Sequence, residues 1–273
     1  MMPFEGYNKA MKTILAETFV GEGGVEELKY PESSAVNLKK EFVEIKQILK
    51  EGCSLGLYSE KDLEAALPEK PGAGKLYGLP KDHKPITQET GLPPLRAVVS
   101  CCGGNLEGLG KLVDYFLRPV DEAAPSFIQD TPALLRMIQQ LNSLGPQPIG
   151  TRLYTMDVIS MYPSIPSSRA PAWVRRRCLA AGMNPTLVDW LIRAIELMLR
   201  CSTFEYDSKF YRQSSGCSIG APYACSYSGV AMGDLEEEGL RRWETRGGVR
   251  RERKGLEWRK GDVAEVDRWG GRF

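Results

Sequence analysis

Prolines at positions 80, 85, 93 and 94 fall within the stretch Lys75 to Ser100. Each removes a backbone N–H and fixes φ, so a long helix cannot run through this region. Extended strands joined by turns are what remains, with proline held to turns and strand edges. Ala97-Val98-Val99 reads as a short strand within it.

Helical patterns flank this segment. Asn37 is placed to cap a helix whose apolar residues Leu38, Phe42, Ile45 and Leu49 share one face, and Gly52 is placed to end it. Ser59-Glu60-Lys61-Asp62 resembles a capping box, and a Pro/Gly-rich break follows from Pro68 to Gly74. Further helices are expected over about Leu106 to Leu117, from Asp130-Thr131-Pro132 to about Leu141, over Trp173 to Ala181, from Asn184-Pro185 onward, and from Ala224 to Leu240. Arg152 to Val158 reads as a strand. Phe204 to Tyr211 alternates about Asp207-Ser208 and reads as a hairpin.

At 273 residues the chain can bury a sizeable core. No apolar run approaches the length of a membrane span, and the first residues lack the layout of a signal peptide, which points to an intracellular protein. The seven cysteines form no C-x-x-C, and there is one histidine, so a zinc site or a disulfide framework is not expected. Any metal would have to be held by oxygen ligands. Charge is uneven: Arg241 to Phe273 carries 11 Lys/Arg against 6 Asp/Glu. A basic end of this kind can follow nucleic acid, although a solvated tail is the commoner origin.

Three segments carry chemistry. Tyr154-Thr155-Met156-Asp157-Val158-Ile159-Ser160-Met161-Tyr162-Pro163 reads as a strand that ends in an aspartate and enters a tight loop. An isolated strand-end aspartate ordinarily caps a turn. The same arrangement also presents a carboxylate to magnesium, which prefers oxygen ligands and bridges carboxylates to substrate phosphates. The Val158 carbonyl is a further expected ligand. Tyr162 is placed to stack under a deoxyribose and to clash with a 2′ hydroxyl. In the second segment, Phe210 to Pro222, small residues at 214–218 and 220–221 allow close backbone approach to a base pair, with Gly216 and Ser218 as nucleic-acid contacts. Gln213 can hydrogen-bond to template or nucleotide. In the third, Lys75, Lys81, Lys84 and Arg96 lie in the proline-dense region, where cations can clamp a triphosphate. Arg96 is flanked by apolar strand residues, whereas the lysines also suit a solvated loop. His83 has no His or Cys partner and reads as a turn residue.

In order, Y-G-L-P-K-x-H-K-P, P-L-R-x-V-V-S, T-M-D-V-x-S-M-Y-P-S-I-P and Q-x-x-G-C-S-I-G-A-P resemble the reverse transcriptase of Penelope-like retroelements. The resemblance covers roughly Leu76 to Glu244. It implies an α/β (α+β) fold of fingers and partial palm, with an antiparallel sheet and packed helices. It implies RNA-directed DNA synthesis with an RNA template, a DNA primer and dNTPs, with Mg2+ or Mn2+ as cofactor and a nuclear location. It assigns Arg96 to the triphosphate, Asp157 to the metal and to catalysis, Tyr162 to the sugar, and Gln213 with Gly220 to template and nucleotide.

The sequence departs from that family in one respect. Family members carry a later strand-turn-strand with paired aspartates, and Asp262 and Asp267 stand singly in unpatterned sequence. The expected organisation is therefore a helical extension over 1–70, fingers and palm over 71–244, and a basic, irregular segment over 245–273 that ends before the second carboxylate motif. Catalysis by these residues alone is expected to be incomplete. The alternative is a non-catalytic, nucleic-acid-binding remnant of the same fold.

Overall fold

The computed structural model describes residues 4–21, 24–146, 158 and 160–245. The chain opens with helix α1 (Phe4–Leu15), followed by an antiparallel pair, β1 (Thr18–Val20) and β2 (Glu26–Leu28). Helix α2 spans Ala35–Ser54 and α3 spans Glu60–Ala66. Ser34 caps α2 by accepting the Asn37 N–H. Asn37 is therefore inside the first turn rather than at the cap. Gly52 does not end α2 but sits buried within it, because a Cβ there would meet the Tyr58 hydroxyl at 2.6 Å and the Trp190 indole nitrogen at 2.7 Å. The expected capping box is present, with Ser59 and Asp62 each receiving the other's backbone N–H.

The proline-dense stretch forms the antiparallel hairpin of β3 (Gly74–Pro80) and β4 (Leu95–Ser100). Helices α4 (Glu107–Glu122), α5 (Thr131–Ser143), α6 (Met161–Ser164), α7 (Ala170–Ala180) and α8 (Pro185–Arg200) follow. A second hairpin joins β5 (Thr203–Tyr206) to β6 (Lys209–Arg212), and α9 (Ala224–Thr245) comes last among the described residues. Asp207 and Ser208 both take positive φ, the backbone that a tight two-residue hairpin turn requires. The expected strand over 152–158 lies outside the described residues, Val158 apart.

The two hairpins make one four-stranded sheet in the order β4-β3-β5-β6. The expectation of an antiparallel sheet needs one correction. β3 and β5 run parallel, through Gly74 opposite Phe204 and Lys75 opposite Glu205. The fold is thus mixed α/β, with helices segregated from a small mixed sheet.

One hydrophobic core runs through the described chain. Ile45 and Leu49 of α2, Leu109, Val113 and Leu117 of α4, Trp190, Leu191 and Ile195 of α8, and Tyr227 of α9 are fully buried in it. Trp190 satisfies its indole N–H on the Ile48 carbonyl at 3.0 Å, tying α8 to α2. On the sheet side, α1 lies against β3. Tyr7 accepts the Gly78 N–H at 2.8 Å, and Gly78 has no Cβ to collide with Met11. Residues 4–70 therefore share the core of the later elements.

Candidate functional site

Alternation along the first hairpin sorts its residues by face. Leu76 and Gly78 point inward, while Lys75, Tyr77 and Leu79 point out. The register sets Tyr77 opposite Val98 and Leu79 opposite Arg96, so these four share the outer face. Tyr77 and Leu79 remain substantially exposed there. Arg96 is exposed and makes no ion pair among the described residues. Lys75 is engaged across the sheet with Glu205 at 2.7 Å. The Lys81 N–H closes the hairpin loop onto the Pro94 carbonyl, and the Lys84 N–H bonds the Lys81 carbonyl. That turn leaves the Lys84 side chain in solvent.

Asp157 lies outside the described residues. Val158 is exposed, and Ser160 enters α6 in the left-handed conformation, φ 51°. Such backbone costs a non-glycine residue energy and persists only where its surroundings enforce it. Two residues on, the Tyr162 carbonyl accepts the Cys217 N–H at 3.0 Å, and its hydroxyl meets Cys225 Sγ at 3.4 Å. The hydrogen bond with Cys225 and then partial burial push the Tyr162 hydroxyl up to about 12. The Arg96 charge acts in the opposite direction and is the smallest of the influences on that hydroxyl.

The 213–220 turn packs on both the Tyr162 segment and β4. Gly216 has φ +65° and is pressed so closely on the Tyr162 carbonyl and Pro163 that any Cβ would overlap them. Gly220 has φ +99°, and a Cβ there would come within 2.6 Å of the Val99 carbonyl. The Val99 N–H donates to Ile219 at 2.8 Å, so this turn is bonded to the outer edge of the sheet at β4. Gln213 is turned inward, 4% exposed. Its amide donates to the Ser215 carbonyl at 2.8 Å and accepts the Ser218 hydroxyl at 2.8 Å. Gln213 and the buried Ser218 thus shape the turn from inside, where a direct contact to template or nucleotide had been expected. Gly216 is buried as well, and Gly220 is exposed.

Gly216 therefore lies against Tyr162, and Gly220 lies against Val98 and Val99, on the same strand as Arg96. Lys75, Lys81 and Lys84 lie on the same hairpin without touching them in any recorded hydrogen bond or ion pair. Cys225 was not anticipated. Nothing in its sequence context marks it, because its partner Tyr162 is 63 positions away. Among the described residues no group of three His, Cys, Asp or Glu side chains is placed to hold a metal ion. No helix among the described residues is long and apolar enough to cross a membrane. No known protein family, no curated protein and no solved structure matches the chain.

Proposed function

We propose that residues 71–244 are the fingers and part of the palm of an RNA-directed DNA polymerase of the Penelope-like retroelement type. Its ligands are a dNTP, an RNA template and a DNA primer, and Asp157 with the Val158 carbonyl is the first half of a magnesium or manganese site. The observation that carries this reading is that the turn 216–220 ties Tyr162 of α6 to β4, the strand of Arg96: Gly216 is pressed on the Tyr162 carbonyl, and Ile219 accepts the Val99 N–H. Arg96, Tyr162 and the glycine turn come from three of the four motifs that resemble the retroelement enzyme.

In this reading Arg96 takes the triphosphate. A guanidinium is a planar donor for phosphate oxygens, and charge-assisted bonds of this type are the strong ones. The Tyr162 ring faces the sugar. Exposed Tyr77 and Leu79, on the same face as Arg96, offer a flat apolar surface for a nucleic-acid base. Lys81 and Lys84 add positive charge for the backbone of the template.

The test is binding of a fluorescent dNTP and of an RNA–DNA primer–template, with magnesium, by the chain and by Arg96→Ala. Loss of a charged hydrogen bond should weaken dNTP binding roughly tenfold or more. Equal dNTP affinity for both proteins would sink the proposal. Salt-dependent primer–template binding without any dNTP capture would instead favour the non-catalytic remnant.

A further inference from the structure

Tyr162 is held at both ends by the segment 216–225. At the backbone end, its carbonyl takes the Cys217 N–H at 3.0 Å and lies against Gly216, where no side chain fits. At the ring end, its hydroxyl meets Cys225 Sγ at 3.4 Å. Cys225 lies in the first turn of α9, and the start of that helix is fixed by the Ala224 N–H on the Ala221 carbonyl and by the buried Tyr223. The thiol therefore stands on a rigid support. Cys225 is exposed while Cys217 is buried, so the thiol that meets the half-buried tyrosine ring is open to solvent.

A tyrosine ring turns about two side-chain bonds. With its backbone pinned, what remains free is the swing of the ring, which is limited by its packing on the core and, at its far end, by the contact at the hydroxyl. We infer that Cys225 is a positioning residue for the sugar side of the nucleotide site: its thiol fixes the tilt of the Tyr162 ring and so sets the room left for a 2′ hydroxyl. This rests on the nucleotide reading above. The thiol makes no contact with the nucleotide itself; it acts through the tyrosine. Serine in its place keeps a hydrogen-bonding group but on a shorter bond to carbon, so the ring must lean toward α9 to meet it. Alanine leaves the hydroxyl with no partner on that helix.

Two measurements test this. The first needs no nucleotide. Site-resolved labelling with N-ethylmaleimide should modify Cys225 at a several-fold different rate in Tyr162→Phe than in the unaltered chain, faster where the thiol donates to the hydroxyl and slower where the hydroxyl donates to the sulfur, with exposed Cys102 unchanged as the internal control. Equal Cys225 rates would overturn the contact. The second compares the affinities of a fluorescent dNTP and the matching rNTP. Cys225→Ala should lower the preference for dNTP roughly threefold or more, the worth of one modest hydrogen bond. Cys225→Ser should recover part of it. In a Tyr162→Phe background Cys225→Ala should change nothing further, since the shared interaction is already gone. An undiminished preference in Cys225→Ala, or an equal loss in the Tyr162→Phe background, would overturn the positioning role. If the unaltered chain binds neither nucleotide, the nucleotide reading falls and the sugar role of Cys225 with it. The labelling result then still decides whether thiol and ring are in contact.

Discussion

Tyr162 and Cys217, 55 positions apart in the chain, are joined backbone to backbone, with the Cys217 N–H on the Tyr162 carbonyl at 3.0 Å. This bond brings the loop that follows Asp157 and the glycine turn before α9 into one unit. Neither piece has regular structure long enough to place itself.

Gly216→Ala should break that unit. The position has φ +65°, and an added Cβ would overlap backbone atoms of Tyr162 and Pro163 that have no freedom to turn aside. Left-handed backbone in a non-glycine residue costs about 1–3 kcal/mol. Urea unfolding should show a loss of at least that size, and an unchanged midpoint would contradict the close approach.

Tyr162→Ala should narrow the difference between dNTP and rNTP affinity, because the ring is the bulky group beside the proposed sugar position. Competition of each nucleotide against a fluorescent dNTP measures this. A preference as strong as that of the unaltered chain would remove Tyr162 from the sugar side.

Tyr227→Phe should leave stability unchanged or raise it. Tyr227 is fully buried, and its hydroxyl finds no hydrogen-bond partner among the described residues. A buried, unsatisfied polar group costs about 1–3 kcal/mol, which phenylalanine would recover. A thermal midpoint lowered by several degrees would show that the hydroxyl is in fact bonded.

Glu41→Gln should flatten the dependence of stability on pH. Burial holds the Glu41 carboxyl above its ordinary value of 4.5, against the opposing pull of the Thr203 hydroxyl and the Arg212 charge. The folded chain therefore favours the protonated form. Its stabilising share is complete below the unfolded value and is lost as pH rises through the raised one. Asp121, pushed up to about 6 by burial and then by Glu122 and Asp114, gives a background of the same sign. Thermal midpoints between about pH 4 and 8 should fall less steeply for the variant than for the unaltered chain.

Local signals in the sequence located the local elements. Ser59 with Asp62, Asp130 before Thr131-Pro132, and Asp207-Ser208 each mark a cap or turn whose chemistry is complete within four residues. β1 and β2 escaped notice because three residues such as Glu26-Glu27-Leu28 show no alternation to read. Gly52 was misplaced because its reason for being glycine is Trp190, far along the chain. In the site, Arg96 and Tyr162 were visible because each belongs to a patterned segment. The inward turn of Gln213 was not, since a loop without a period does not say which way a side chain faces. Cys225 acquires its meaning only from a neighbour in space.

The parallel seam between β3 and β5 has a consequence for how the chain assembles. Each hairpin closes a short loop, 81–94 in one case and two residues in the other, whereas the seam joins Lys75 to Glu205 across 130 positions. Loop-closure entropy makes that longer closure about 2 kcal/mol more costly than the 81–94 loop. The hairpins should therefore form early and independently, and the seam should wait until α4 and α8 have condensed between them. A chain caught before that event would hold both hairpins with their inner edges unpaired, the kind of edge that recruits strands from other molecules. Refolding at high protein concentration should lose material to aggregation at that stage, and the order in which the backbone amides of Tyr77 and Glu205 become protected from hydrogen exchange would reveal it.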